Sequence, residues 1–165
     1  MPRWHKLEDM CGIVGYVGQK QTMDVLLGGL KRQEYRGYDS AGVAVITDGG
    51  SLESAKKSGK LQVLVDHLTA HPLTAGHTGI GHTRWATHGA PVDVNAHPHL
   101  ADSGKLAMIH NGIIENFAEI KQEMLEAGHE FLSETDTEVG AVLLGHLVTQ
   151  TGDFRTAFAQ AVNRF

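Results

Sequence analysis

The sequence predicts a single α+β domain, and three observations support that class. Its 165 residues are enough for one domain with a sizeable core, because 41% are hydrophobic and 20% are charged. Short apolar runs between turn residues predict strands up to about residue 110, while apolar residues at helical spacing recur between and after them. Asp-Gly-Gly at 48–50, between two strand-like runs, is a hairpin signal that favours antiparallel pairing.

The elements of the first half follow from these patterns. Gly12 and Gly18 bound the first apolar run, and His71-Pro72 ends the second helix because proline does not continue a helix. In chain order the sequence predicts a strand at 13–17, an amphipathic helix at 22–32, a polar loop at 34–42, hairpin strands at 43–47 and 51–57, and a short helix at 60–69.

The second half contains longer helical patterns. In chain order it predicts a strand from 77 to about 83 followed by a loop, a loop at 91–104, a strand at 106–110, and helices at 114–127, 139–148 and 154–164. Residues 135–138, Thr-Asp-Thr-Glu, fit the capping-box pattern before the 139–148 helix, and Asp153 is the predicted cap of the last helix.

Charge and composition exclude several functional classes. The net charge of −5 is spread over 19 acidic and 14 basic residues without blocks, which argues against a nucleic-acid-binding surface. No apolar run approaches the roughly 18 residues that span a bilayer, and the N-terminal segment lacks the apolar core of a secretory signal. With one cysteine and no targeting segment, the chain is interpreted as cytoplasmic, binding neither membranes nor nucleic acid.

The candidate nucleophile is Cys11, the only cysteine of the chain. It cannot form an internal disulfide, so its role is either packing, as a small buried residue that opens a strand, or chemistry. The preceding Met10 favours chemistry. If residues 1–10 are an upstream leader ending in the true start Met, their loss gives Cys11 both a thiol and an α-amine. Such an amine titrates near roughly 7.7–8.0 and suits a general base, whereas a retained leader would block it.

Histidines and an arginine concentrate between residues 77 and 110. Arg84, beside Trp85, Thr87 and His88, is suited to hold a carboxylate through a forked, charge-assisted pair. A metal site competes with this interpretation, because five histidines lie within thirty residues: His82, His88, His97, His99 and His110. No cysteine pair or zinc spacing accompanies them, so histidines that hydrogen-bond in a polar core are the favoured interpretation.

Two further stretches place polar groups at the ends of predicted elements. Asn111-Gly112 follows a predicted strand and is either an ordinary turn or an oxyanion hole, if the asparagine amide and the glycine N–H are directed at one point. Asp136 lies at the start of a predicted helix, where a carboxylate stabilises the helix dipole. The same position is compatible with binding a ligand ammonium.

Six motifs together closely resemble the glutaminase domain of the glucosamine-6-phosphate synthases (glutamine–fructose-6-phosphate aminotransferases, isomerising), which are class II glutamine amidotransferases. The motifs are CGIVG at 11–15, EYRGYDSAG at 34–42, GHTRWATHG at 81–89, NAHPH at 95–99, HNGIIEN at 110–116 and SETDTEV at 133–139. The resemblance runs from Met10 to the C-terminus without large gaps. Amidophosphoribosyltransferases and asparagine synthetases resemble the chain less, because the second and third motifs match the sugar enzymes nearly word for word.

The resemblance implies an N-terminal-nucleophile hydrolase fold, a four-layer αββα sandwich with two antiparallel sheets between helix layers. It implies that Cys11 attacks the side-chain amide of L-glutamine, that its own amine moves the proton, and that Asn111 and the Gly112 N–H stabilise the oxyanion. The other implied roles are α-carboxylate binding by Arg84, Thr87 and His88, α-ammonium binding by Asp136, coverage of the site by Trp85, positioning of the nucleophile's terminus by Arg36, and a place near the site for His97 and His110.

The resemblance implies no metal and no cofactor. In the family, the released ammonia passes to a separate isomerase domain that carries fructose 6-phosphate, and the full-length proteins are expected to be homo-oligomers. Residues 11–165 match an amidotransferase domain without its later strands and without the isomerase domain, so a C-terminally truncated domain is expected. Two functions remain open: glutamine hydrolysis through a cysteine thioester, or a silent fragment that binds glutamine or a partner without turnover.

Overall fold

The computed structural model describes residues 11–86 and 89–165. In this part of the chain there are six strands and five α-helices. The strands are β1 (Gly12–Val17), β2 (Ser40–Thr47), β3 (Leu52–Ser58), β4 (Gly76–Arg84), β5 (His99–Ala101) and β6 (Leu106–Met108). The helices are α1 (Thr22–Lys31), α2 (Leu61–Ala70), α3 (Phe117–Glu126), α4 (Asp136–Thr151) and α5 (Phe154–Val162).

The first sheet is antiparallel, with the strand order β1-β4-β2-β3. Its register pairs Gly12 with Thr83 and Ser40 with Arg84. Because neighbouring strands run in opposite directions, the start of β1 and the end of β4 lie at the same end of the sheet. Cys11, directly before β1, and Trp85, directly after β4, are therefore neighbours at that end.

Two hydrophobic cores hold the layers together. Helices α1 and α2 cover one face of the first sheet, where Leu26, Leu30, Val43, Val45 and Leu64 are buried. Helix α4 packs on the second sheet, β5 paired with β6, and α3 and α5 pack against α4. Buried members of this second core are Leu106, Ile120, Met124, Val139 and Leu143.

The two sheets face each other across an apolar gap. Ala44 and Ile80 line it from the first sheet, and Leu106 and Ala107 line it from the second. The layers are thus α1 and α2, the four-stranded sheet, the two-stranded sheet, and α3–α5. No helix within residues 11–86 and 89–165 combines the length and hydrophobicity needed to cross a bilayer.

The strongly periodic elements agree with the sequence predictions to within a few residues. The first strand, the hairpin strands, the strand ending near residue 83 and the helices at 22–32 and 60–69 are confirmed. The predicted helix at 139–148 is confirmed but longer, since α4 already begins at Asp136. Asp153 caps α5 as predicted, because its carboxylate accepts a hydrogen bond from the backbone N–H of Thr156 at 2.8 Å.

The predicted loops are wrong in part. Within 34–42, Glu34–Arg36 forms a 3₁₀ turn and β2 already begins at Ser40, because β4 extends far enough to pair with it. Within 91–104 lie a 3₁₀ turn at Asp93–Asn95 and the strand β5, which is too short to show an alternating pattern.

The elements on either side of the Asn-Gly pair are shorter than predicted. The strand expected at 106–110 ends at Met108, and the helix expected at 114–127 begins at Phe117. Ile114 is buried and its backbone N–H donates to the Asp136 carboxylate at 2.8 Å, a tertiary bond that fixes this segment against the start of α4. The chain between β6 and α3 is therefore neither strand nor helix, and part of it lines the pocket described next.

Candidate active site

Two hydrogen bonds, one to the Cys11 sulfur and one from the following residue, hold Cys11 at this end of the sheet. Its Sγ accepts a hydrogen bond from the backbone N–H of Trp85 at 3.2 Å, and the next residue, Gly12, donates its N–H to Thr83 Oγ1 at 3.1 Å. The cysteine is a free thiol and is half-buried.

Cys11 lines a small pocket, called here the Cys11 pocket. Its lining consists of Cys11, Arg84, Trp85, His97, His110, Asn111, Gly112, Thr135, Asp136 and Thr137. These residues come from five separate stretches of the chain. Most of the residues that the sequence analysis singled out as candidates are thereby brought to one place.

Two residues separate the Asn111-Gly112 pair from the end of β6, and the pair lines the same pocket as Cys11. Gly112 sits close to the imidazole of His110, since a Cβ at position 112 would come within 2.8 Å of His110 Nε2. His110 Nδ1 is in turn 3.5 Å from Thr137 Oγ1 at the start of α4. This close packing fixes the backbone that carries the candidate oxyanion donors.

Asp136 is the first residue of α4 and is 3% exposed. One of its carboxylate oxygens accepts the Ile114 N–H described above, and the positive end of the helix dipole stabilises its negative charge. The helix start is fixed by Thr135, whose Oγ1 accepts the N–H of Glu138 at 3.2 Å. The pocket therefore has a rigidly held carboxylate on this wall.

Arg84 ends β4, is buried, and lines the same pocket as Asp136. Its backbone carbonyl accepts the N–H of Asp39 at 2.8 Å, and the Asp39 carboxylate accepts the N–H of Ala86 at 2.5 Å. Trp85 between them remains 42% exposed. A guanidinium and a carboxylate thus line one pocket, which suits a ligand with both an anionic and a cationic group.

Three predicted site residues are not placed in the pocket by the structure. Arg36 lies in the 3₁₀ turn, where its Nε donates to the Tyr35 hydroxyl at 3.3 Å and its guanidinium lies 5.8 Å from the centre of the Tyr35 ring. It is not part of the Cys11 pocket lining. Thr87 and His88 lie outside the described residues.

Three buried histidines, His82, His97 and His99, pack ring against ring next to the pocket and are called here the histidine stack. The ring centroids of His82 and His97 are 4.5 Å apart and those of His97 and His99 are 4.9 Å apart. His99 Nε2 is 2.8 Å from Thr135 Oγ1, whereas neither ring nitrogen of His82 has a hydrogen-bond partner among the described residues. The polar-core interpretation is thus confirmed for His99, while His82 is held by stacking.

Burial lowers the pKa of all three histidines, and the nearby cation Arg84 lowers it further. The pKa of His82 and that of His99 fall to about 3, and the pKa of His97 is lowered as well. All three rings are therefore neutral near pH 7. Among the described residues, no group of three or more His, Cys, Asp or Glu side chains is arranged to hold a metal ion.

Sequence reasoning missed the residues that hold the segment carrying His97. Lys56 of β3 donates from Nζ to the carbonyl oxygens of Val94 at 3.0 Å and Ala96 at 2.7 Å, and burial lowers its pKa to about 8. The segment crosses β2 at Gly42, where a Cβ would lie 2.0 Å from the His97 carbonyl oxygen. A lysine in a predicted strand and one glycine among 20 give no signal of these contacts.

Comparison with known proteins places these features in context. The glutamine amidotransferase domain family matches residues 67–161. Glutamine–fructose-6-phosphate aminotransferases (isomerising) of Leifsonia xyli and Streptomyces coelicolor are 63% and 59% identical to this chain over 155 residues, which is 94% of this chain. The same alignments cover 25% of each relative, so the chain spans about a quarter of the length of these curated relatives.

Solved structures with the same fold are more distant in sequence. A structure of the allosteric regulatory enzyme of purine biosynthesis has a TM-score of 0.75 and 28% identity, and covers 92% of this chain and 32% of its own. Glutamine phosphoribosylpyrophosphate amidotransferase from B. subtilis, in complex with ADP and GMP, has a TM-score of 0.72 and 27% identity, with the same coverage. The predicted N-terminal-nucleophile hydrolase fold is thereby confirmed.

Proposed function

This chain belongs to the glutamine amidotransferase family, and from that premise we propose that it hydrolyses the side-chain amide of L-glutamine with Cys11 as the nucleophile. The observation that carries the proposal is the Cys11 pocket itself. It joins one thiol, one guanidinium, one carboxylate and an asparagine–glycine pair that come from distant parts of the chain.

The charges of the pocket support an α-amino acid as the ligand. Arg84 is suited to the α-carboxylate, because a guanidinium pairs with a carboxylate through two parallel hydrogen bonds. Asp136 is suited to the α-ammonium, because it is buried and lies in the same lining. Thr87 and His88 are proposed as further carboxylate contacts, and Trp85 as the cover of the bound substrate.

The reaction then proceeds through a thioester. The Cys11 sulfur attacks the amide carbon of glutamine, and the negative charge that develops on the amide oxygen is stabilised by the Asn111 side-chain amide and the Gly112 N–H. The thiol proton passes through the α-amine of Cys11 to the leaving nitrogen, which departs as ammonia. Water hydrolyses the thioester, which releases glutamate and restores the thiol.

The proposal is tested by assaying glutamine hydrolysis with Cys11 as the first residue. We expect ammonia and glutamate to form in equal amounts, and the Cys11→Ala variant to release neither while keeping its far-UV circular dichroism spectrum. Equal activity in the Cys11→Ala variant would refute the mechanism. A parallel sample that retains residues 1–10, verified by mass spectrometry, is expected to be inactive because its α-amine is an amide.

The activity of a longer protein is a second part of the proposal. The named relatives support transfer of the released ammonia to fructose 6-phosphate in an isomerase domain, which gives glucosamine 6-phosphate. Joining this chain to the isomerase part of the Leifsonia xyli relative is expected to produce glucosamine 6-phosphate from glutamine, and a fusion that releases only free ammonia would contradict this. A cytoplasmic location and a homo-oligomeric full-length protein belong to the same proposal.

The alternative is a chain that binds glutamine without turnover. Binding needs only the charged groups of the pocket, whereas turnover also needs a free α-amine on Cys11. Thermal unfolding with and without glutamine, combined with an ammonia assay, distinguishes the two functions, because glutamine stabilises the chain in both cases and only an active chain produces ammonia.

A further inference from the structure

Three segments that reach the Cys11 pocket meet at one side chain outside it, that of Asn95. Asn95 is fully buried, with 0% exposure, and is not part of the pocket lining. Its Nδ2 donates to the carbonyl oxygen of Ala90 at 3.0 Å and to Glu134 Oε2 at 3.0 Å, and its Oδ1 accepts the backbone N–H of Glu134 at 3.0 Å.

Neither partner lines the pocket itself, but Asn95 and both partners are close in sequence to residues that do. Glu134 directly precedes Thr135 and Asp136, which line the pocket from the start of α4. Ala90 closes the stretch that begins at Trp85, and its N–H lies 3.4 Å from Glu134 Oε2. Asn95 itself lies two residues before His97, which lines the pocket as well.

The contact is specific for a carboxamide. Glu134 presents a donor, its backbone N–H, and an acceptor, its carboxylate, and Ala90 presents a second acceptor; the asparagine amide matches all three with one acceptor oxygen and two N–H donors. An aspartate at position 95 would place an oxygen against the Glu134 carboxylate and the Ala90 carbonyl. Packing is tight as well, since a Cβ at Gly89 would lie 2.6 Å from Asn95 Nδ2.

We propose that Asn95 is a positioning residue for glutamine binding, which fixes the Asp136 wall relative to the Trp85 wall through Glu134. This inference rests on the proposed function. Asn95 touches neither Cys11 nor the asparagine–glycine pair. Its loss therefore changes the distance between the groups that hold the α-carboxylate and the α-ammonium of the substrate, and the reacting atoms at the other end of glutamine are affected less.

The test is a double-mutant cycle in the chain that begins at Cys11, the form in which glutamine hydrolysis is assayed. Asn95→Asp is nearly isosteric and is expected to raise KM for glutamine about tenfold or more, with a smaller change in kcat, because a buried polar contact has been made repulsive. Glu134→Gln alone is expected to have little effect, since Oε1 of glutamine still accepts both N–H groups. The double variant Asn95→Asp, Glu134→Gln places a glutamine amide opposite the aspartate and is expected to recover part of the loss, because the contact with the Ala90 carbonyl stays repulsive.

Thr22→Val is the matched control, because Thr22 is also buried and donates its Oγ1 to the Gly76 carbonyl at 2.8 Å away from the pocket. It is expected to lower the unfolding temperature without changing KM. An unchanged KM in the folded Asn95→Asp variant, a double variant that recovers nothing, or a Thr22→Val variant with the same rise in KM would each overturn the inference.

A binding measurement separates this inference from the proposed function. The rise in unfolding temperature caused by glutamine is recorded for every variant, whether or not ammonia is released. A wild-type chain that binds without turnover refutes the hydrolysis proposal, and the Asn95→Asp variant must still lose the glutamine-induced rise. A wild-type chain that turns glutamine over while Asn95→Asp binds equally well refutes only the positioning role, and a wild-type chain that does not bind glutamine overturns both.

Discussion

At the scale of single residues, the two opposite charges of the Cys11 pocket are carried by different secondary structures. The guanidinium of Arg84 is carried by the end of a strand and the carboxylate of Asp136 by the start of a helix. Because both are buried in the fold, neither side chain adapts freely to a ligand. Substrate selection should then depend on whether a ligand carries both charges at one end.

Asp136→Asn is expected to weaken glutamine binding. Asparagine keeps an oxygen for the Ile114 N–H and loses only the charge, so KM should rise by about tenfold, as expected for one charge-assisted hydrogen bond. Steady-state kinetics of ammonia release measures this. Asp153→Asn, the same change at the start of α5, is the control, and an equal KM in both variants would leave Asp136 with a capping role only.

Asn111→Ala is expected to lower kcat on the order of 10²–10³-fold while KM changes little, because an oxyanion donor acts in the transition state and not in the ground state. Single-turnover measurements of thioester formation locate the loss in the chemical step. Asn163→Ala, at an exposed asparagine after α5, is the control. A variant that loses only substrate affinity would assign Asn111 to binding.

The sequence predicts those pocket residues whose side chains have distinctive chemistry. Cys11, Arg84 and Asp136 are conspicuous where they stand, and the structure brings them to one lining. Asp39 and Asn95 are ordinary turn residues in sequence, and their importance comes from hydrogen bonds to residues 47 and 39 positions away. Such bonds exist only after folding, so no local pattern reveals them.

At the scale of elements, the start of α4 is the best-specified part of the fold. The predicted capping box is present in one half: Thr135 Oγ1 accepts the Glu138 N–H, while the Glu138 carboxylate accepts the N–H groups of Leu132 at 2.9 Å and Ser133 at 2.7 Å. The carboxylate thus reaches past Thr135 to the preceding loop. Helix start and loop are joined into one unit, which explains why α4 begins at Asp136 and not at Val139.

Thr135→Val is expected to destabilise this unit. It removes the cap of α4 and the 2.8 Å contact to His99, so the free energy of unfolding should fall by about 1–2 kcal/mol. Urea titration measures the change. Thr135→Ser keeps the hydroxyl and should stay close to wild type, and equal losses in both variants would show that the methyl group, not the hydrogen bonds, matters.

Elements of three residues mark the limit of sequence prediction. The strand β5 pairs with β6 over only three positions and contains His99 and Leu100 in a segment rich in turn residues. Its pairing is decided by α4, which packs on both strands. Long periodic elements carry their own signal, whereas β5 depends on its neighbours.

At the scale of the whole molecule, the buried histidine stack links the two halves of the sandwich. His82 belongs to the first sheet, His99 to the second, and His97 lies between their rings. The charged groups that face the stack are Arg84 and Lys56, with His110 nearby. Protonation of any ring would place a third positive charge between these layers.

Stability is therefore expected to fall as the pH drops below about 6.5. The unfolded chain binds a proton at each histidine near the ordinary pKa of 6.5, whereas the folded pKa of His82 and of His99 is about 3. Between these values the unfolded state holds more protons, so each histidine costs up to about 1.4 kcal/mol of stability per pH unit. Urea titrations at pH 7.5, 6 and 5 measure the slope.

His82→Leu is the variant that checks this origin. It removes one titrating ring whose nitrogens have no hydrogen-bond partner among the described residues, so the acid slope should flatten by about one proton. His71→Leu, at an exposed histidine after α2, should leave the slope unchanged. The same slope in wild type and His82→Leu would contradict a buried neutral His82.

The absence of a side chain at Gly42 also has a consequence for grafting the Cys11 pocket onto another protein. Any side chain there would meet the His97 carbonyl oxygen at 2.0 Å, so the crossing segment rests directly on the strand. A host sheet chosen to receive the grafted pocket would need glycine at the matching register position. With alanine at that position, the methyl group would push the inserted segment away from the strand. A graft that copies every side chain of the pocket would then still be misaligned.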